Sequence, residues 1–239
     1  MTLYRCNAVV LRTYPLGEAD RIISFITDNR GKVRAVAKGI RKTKSRIGAR
    51  LEPMAHVSLL MYEGRGELEI VSQAETIEPH RRIREDLDRL THAAAMLEAV
   101  DLVAQERQPD QRLYNMIVGA LRSLDEQDSP LMVAAFYWKL LAHEGYEPSL
   151  DECVRCATTE DLVGFDPVAG GVTCRADTIG MRASGEALAL LRMILNGQLV
   201  AALRQPVSPV THEVERLATA ALEHTLERRL KAGRVLDKG

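Results

Sequence analysis

Gly31-Lys32-Val33-Arg34-Ala35-Val36-Ala37-Lys38-Gly39 interleaves cations with small apolar residues between two glycines. Lys32, Arg34 and Lys38 share one parity; Val33, Ala35 and Ala37 hold the other. Successive side chains of a strand point to opposite faces. The spacing therefore predicts three cations outside and three small side chains against a core.

The flanking sequence reads the same way. Tyr4–Thr13 is β-branched and apolar at Ala8, Val9, Val10 and Leu11, and Arg21–Thr27 follows. Val57, Leu59 and Met61 alternate with more polar neighbours, as Leu68 and Ile70 do with Glu67 and Glu69. Glu63-Gly64-Arg65-Gly66 is a turn signal between the last two. Five short strands over residues 1–80 predict a small barrel, for which an OB-fold is the reading and an SH3-like barrel shares the strand count.

Beyond residue 80 the period becomes helical. Ile83, Leu87, Leu90, Ala94, Leu97, Val100 and Ala104 form one face of a long helix. Leu113, Ile117, Ala120 and Leu124 begin another, and Ser129-Pro130 opens a third through Leu131, Ala134, Trp138 and Leu141. After an interruption at 145–183, Leu188, Leu191 and Leu195 resume the pattern, and Ser208-Pro209 opens a last helix towards Lys231. The expected fold class is α+β: an N-terminal five-stranded OB-fold barrel (1–80), then an α-helical domain (81–239) interrupted at 150–180.

Charge supplies the first functional expectation. Arg30, Lys32, Arg34, Lys38, Arg41, Lys42, Lys44, Arg46 and Arg50 are nine cations between residues 30 and 50, with no acid among them. The whole chain is close to neutral at a net charge of -1, so the remainder is acidic. A polyanion that only this segment attracts is the leading partner, and nucleic acid is the commonest. A cationic strand face continued by the polar loop Ile40–Arg46 can follow a phosphate backbone without reading bases. Lys32, Arg34, Lys38, Arg41, Lys42, Lys44 and Arg46 are the candidate nucleic-acid-binding residues. The chain has three Phe, one Trp and six Tyr, so phosphate contacts are expected to dominate over base stacking. The competing reading is a protein-interaction adaptor whose basic loop captures an acidic peptide.

Cys153-Val154-Arg155-Cys156 and Cys174-Arg175-Ala176-Asp177 form two knuckle-like halves seventeen residues apart, with hairpin-forming sequence around Phe165–Val172 between them. A pair of CxxC halves reads as structural zinc. Here the fourth position is Asp177, and carboxylate oxygen is a legitimate zinc ligand. Cys153, Cys156, Cys174 and Asp177 are the candidate metal ligands for one structural Zn2+. The alternative is a loop that has lost its metal and keeps its shape by packing. Cys6 reads as a buried core thiol.

No GxxxxGK[ST] loop, GxSxG elbow or HExxH pair occurs, and the six histidines are scattered. No catalytic residue is assigned and the expectation is a non-enzyme. No apolar run approaches the roughly 18 residues that span a bilayer. The N-terminus lacks a signal-peptide core, and a cytoplasmic location is expected.

Leu16-Gly17-Glu18-Ala19-Asp20-Arg21-Ile22, then Gly31–Gly39, Ser45 and Leu51-Glu52-Pro53, resemble the bacterial RecO family of recombination mediators. The later CxxC, Gly-Gly and Cys elements resemble it too. The resemblance implies an OB-fold and a helical domain with a zinc-ribbon-like insertion. It implies DNA repair and recombination through binding of single- and double-stranded DNA, annealing of complementary strands, and help to a recombinase in displacing single-strand-binding protein. The implied partners are RecR and the acidic C-terminal tail of single-strand-binding protein, and the implied setting is the bacterial nucleoid. Zinc-bearing members carry a fourth cysteine where this chain has Asp177, which bears on the metal rather than on the family.

Overall fold

In the computed structural model, residues 2–40, 48–64, 66–177 and 179–231 are described. Two compact units divide the chain, the first running through Glu126 and the second starting at Gln127.

The first unit holds β1 (Leu3–Leu16), β2 (Asp20–Thr27), β3 (Gly31–Ala37), β4 (His56–Tyr62) and β5 (Glu69–Glu78). They close into a barrel in the order β1-β2-β3-β5-β4. All neighbours are antiparallel except β3 and β5, which run parallel. This is the strand order of an OB-fold. The alternation in β3 is realised residue by residue: Val33, Ala35 and Ala37 are buried, whereas Lys32, Arg34 and Val36 are only half-buried. The barrel interior is filled by Ala8, Val10, Ile23, Phe25, Val57, Leu59 and Met61. Small residues on β3 leave room for Phe25 and Met61, which is how so narrow a barrel reaches close packing.

Helices α1 (Arg81–Glu85), α2 (Leu87–Val103) and α3 (Gln111–Glu126) complete this unit. The single long helix expected from Ile83 to Ala104 is two. Asp86 adopts an extended backbone and its carboxylate accepts from the N–H groups of Asp88 and Arg89 at 2.9 and 3.1 Å, so it caps α2 and separates it from α1. Hydrophobic periodicity is blind to a cap that falls between two apolar positions. At the far end of α2 the chain returns to the barrel: Lys32 N–H donates to Gln105 O at 3.2 Å and Arg107 N–H to Lys32 O at 2.9 Å.

That return explains Gly31. Its φ is +67°, and a Cβ there would lie 1.9 Å from the backbone oxygen of Gln108. Gly31→Ala is expected to destabilise the unit by about 2–3 kcal/mol, combining left-handed strain with displacement of 105–108. Urea denaturation measures it. A loss below about 1 kcal/mol would mean that the returning segment yields freely.

The second unit contains α4 (Met132–His143), a three-stranded antiparallel sheet of β6 (Leu162–Asp166), β7 (Gly171–Cys174) and β8 (Met181–Arg182), then α5 (Gly185–Leu195), α6 (Leu199–Leu203) and α7 (Pro209–Thr225). Ser208 and Thr211 form a reciprocal capping box that starts α7 with Pro209 in its first turn. Helix α4 starts one turn later than its Ser-Pro signal, because Ser129 turns the chain first and its carbonyl accepts from Met132 N–H at 3.0 Å. The sheet is seated on α4 through Phe165, whose ring meets Trp138 edge-on with centroids 5.5 Å apart.

Candidate nucleic-acid interface and cysteine cluster

The cation run divides into residues that the fold has fastened and residues it has not. Arg30 stacks over the Tyr4 ring, 3.9 Å from its centroid, and pairs with Glu63 at 3.5 Å. Lys32 Nζ lies 3.0 Å from Asp101 Oδ1 on α2, with side chains only 17% and 11% exposed. The same carboxylate accepts from Ser24 Oγ at 3.0 Å and sits 3.7 Å from Arg12. Arg34 pairs with Glu106 at 2.8 Å and with Glu67 at 3.1 Å, both acids well exposed. Arg50 donates to the carbonyl of Ala74 at 2.8 Å. Lys38 is exposed and has no ion pair among the described residues. Arg41, Lys42, Lys44 and Arg46 lie outside the described residues.

These attachments differ in kind. Asp101 and Lys32 are largely removed from water, so either one without the other leaves a charge poorly compensated. Arg34 and its two acids are surface pairs, worth about 0–1 kcal/mol each and open to exchange with another anion. The sequence offered no local sign of the acids, because Asp101 and Glu106 stand 69 and 72 residues from the cations they meet. Helix α2 thus occupies the end of the β3 outer face that carries Lys32, and leaves the end that carries Lys38 open.

In the second unit, Cys153, Cys156, Cys174 and Asp177 converge with their ligand atoms all within 4.8 Å of one another. Cys156 Sγ is 3.7 Å from Cys174 Sγ, and Cys174 Sγ is 3.7 Å from an Asp177 carboxylate oxygen. Thiolates about 2.3 Å from a tetrahedral zinc stand roughly 3.7–3.8 Å apart, so these two edges match that donor set. The knuckle is shaped by its backbone: Ala157 N–H donates to Cys153 O at 2.8 Å with Ala157 at φ 59°. Desolvation opposes ionisation of Cys153, but the N–H groups of Arg155, Cys174 and Cys156 outweigh it and lower the thiol. Cys156 receives a stabilising N–H from Thr158, yet the neighbouring carboxylate and thiols push it up. Four acidic donors crowded this closely cannot all ionise unless a cation joins them. The residues present therefore fit a bound metal. Arg155 also reaches across the sheet to Asp166 at 2.8 Å, holding that buried carboxyl below the usual range and tying knuckle to hairpin.

An OB-fold barrel with appended helices, followed by a unit that carries a cysteine knuckle in a small antiparallel sheet, is the architecture of the chain. The chain belongs to the Recombination protein O family: the family's N-terminal model matches residues 1–80 and its C-terminal model residues 84–234. It is 42% identical to the DNA repair protein RecO of Frankia casuarinae over the full length of both chains. The DNA repair protein RecO of a Nocardioides species is 41% identical, covering 96% of this chain and 97% of the relative. That of Cutibacterium acnes is 43% identical over 73% of this chain and 74% of its own length.

Proposed function

We propose that this protein is a non-enzymatic DNA repair factor that binds single- and double-stranded DNA along the open end of β3 and the basic segment after it. Its role is to anneal complementary strands and to assist recombinase loading on strands covered by single-strand-binding protein. RecR and the acidic C-terminal tail of single-strand-binding protein are its partners, in the cytoplasm and at the nucleoid. The relatives of matching length are DNA repair proteins by name, which supports the repair assignment. No described helix is long and apolar enough to cross a membrane.

One observation carries the DNA-binding site. Lys38 stands exposed at the entrance to a segment that brings Arg41, Lys42, Lys44 and Arg46, on a chain that is otherwise acidic. Arg34 adds a cation whose carboxylate partners a phosphate can replace, and Lys32 spends its charge within the fold. Cys153, Cys156, Cys174 and Asp177 would hold one structural zinc, whose chemistry is to bind thiolates and fix the knuckle.

Fluorescence anisotropy of a labelled single strand, titrated at several salt concentrations, tests the assignment. For single strands the log–log slope is about -0.7 per phosphate neutralised, so a slope near -3 or steeper is expected for four or more engaged cations. Lys38→Glu with Arg41→Glu should remove at least about 1.4 of that slope, two phosphates' worth, and abolish tight binding while leaving the circular-dichroism melt in place. Full binding by the folded double variant would take this segment out of the interface. Flat, weak binding by the wild type, together with saturable capture of an acidic peptide, would favour the adaptor.

A further inference from the structure

The register of β1, β2 and β3 aligns a second element of binding chemistry beside Lys38. Tyr14 pairs with Ile22, and Ile22 with Val36; Arg12 pairs with Ser24, and Ser24 with Arg34. Ile23, Phe25, Val33, Ala35 and Ala37 point into the barrel, so these two rows lie on its outer surface. The Tyr14–Ile22–Val36 row is apolar, and Tyr14 itself is 43% exposed. The neighbouring row carries Arg12 and Arg34, and Lys38 follows β3 on the other side. Asp20, opposite Leu16 on the Lys38 side, turns its carboxylate to Gly39 N–H at 2.7 Å. An aromatic ring in an apolar row, with Arg12 and Arg34 on one side and Lys38 on the other, suits a ligand that alternates flat apolar faces with anions.

The ring is also held in place. Arg12 Nη1 donates to the Tyr14 hydroxyl at 3.1 Å, and its guanidinium lies 6.0 Å from the ring centroid. Arg12 is in turn steadied by Asp101 at 3.7 Å. A tyrosine has few torsions to lose, and one tethered at its hydroxyl presents its ring at little ordering cost.

We infer that Tyr14 is a stacking platform for an unpaired base of single-stranded DNA bound along this face, with Ile22 and Val36 as its apolar floor. This rests on the proposed DNA-binding function and deepens it. Phosphate contacts alone treat single and double strands by charge density, whereas a stacking ring selects strands whose bases are free. Scarcity of aromatics in the chain is no obstacle, because one placed ring suffices for one base.

The test compares a base-bearing single strand with a strand of equal length and charge built from abasic units, titrated against wild type, Tyr14→Ala and Tyr14→Phe. Tyr14→Ala should lose about tenfold in affinity for the base-bearing strand, from the range of base–aromatic stacking. Its salt slope should stay as in wild type, because no cation has been removed. Tyr14→Phe keeps the ring but loses its tether to Arg12, and should fall between wild type and Tyr14→Ala. The preference for bases over abasic units should shrink in Tyr14→Ala by the same factor that the variant loses, and duplex affinity should not change. Equal affinity of wild type for base-bearing and abasic strands would overturn the platform while leaving phosphate binding intact, and this comparison stands even if Tyr14→Ala fails to fold. Absence of salt-sensitive binding by wild type to either strand would instead overturn the DNA-binding function itself.

Discussion

Asp101→Ala is expected to destabilise the first unit by about 3 kcal/mol, the low end for breaking a buried ion pair because Lys32 keeps some contact with water. One side chain here serves three: Lys32 at 3.0 Å, Ser24 at 3.0 Å and Arg12 at 3.7 Å. Removing it leaves the Lys32 ammonium only the backbone carbonyl of residue 101 as a protein acceptor, with no compensating charge, and the Ser24 hydroxyl without its acceptor. Asp101→Asn keeps the shape and one acceptor oxygen, and should lose about half as much. Combining Asp101→Ala with Lys32→Met should recover part of the loss, since the stranded charge is then gone as well. Urea denaturation of wild type, Asp101→Ala, Lys32→Met and the double variant gives the coupling. A cost below about 1 kcal/mol for Asp101→Ala would mean that Lys32 finds water readily and that α2 is seated by apolar contacts alone.

Removing the proposed zinc should be the larger event in the second unit. Protein purified without chelator is expected to carry about one zinc per chain, and Cys153→Ala to carry almost none. Cys153 is the buried member of the knuckle, and its backbone also shapes the turn through Thr158 and Ala157. Chelation or Cys153→Ala should lower the unit's stability by at least about 3 kcal/mol, less than the roughly 10–16 kcal/mol of zinc-finger peptides. The difference arises because the Trp138–Phe165 contact and the Arg155–Asp166 pair continue to hold the sheet. Asp177→Cys should tighten zinc binding by completing a four-thiolate set. Substoichiometric zinc in wild type, with Cys156→Ala as stable as wild type, would show a knuckle that keeps its shape by packing.

What could be read from the sequence was what is local. The parity of residues 32–38 places side chains by a period of two, and the paired cysteine halves advertise their chemistry by spacing alone. The partners of the cations could not be read, because Glu67, Asp101 and Glu106 belong to other elements and reach β3 only through the fold. A charge count finds nine cations between residues 30 and 50 and cannot tell that Arg30, Lys32, Arg34 and Arg50 are already engaged. Strand β1 was expected to stop at Thr13, and it runs to Leu16 with a register shift between Val10 and Arg12. Pro15 disguises that extension, yet it is the extension that brings Tyr14 onto the outer face. The division of the expected long helix at Asp86 was hidden for a related reason. Apolar spacing reports which face is buried, not whether the backbone hydrogen bonds continue.

The short seam of the barrel bears on how portable it is. Strands β3 and β5 are in register only at Ala35–Glu69 and Val36–Ile70, and below that point the edge of β3 is completed by the backbone of 105–107. The barrel is therefore not a cassette that ends where its fifth strand ends. Exchanging residues 1–80 between relatives would separate Lys32 from its backbone partners and Gly31 from the carbonyl it was shaped to admit, whereas an exchange through Glu126 carries the whole joint. Substitutions that accumulate in 104–108 should consequently track those in β3 more closely than those in the helices on either side.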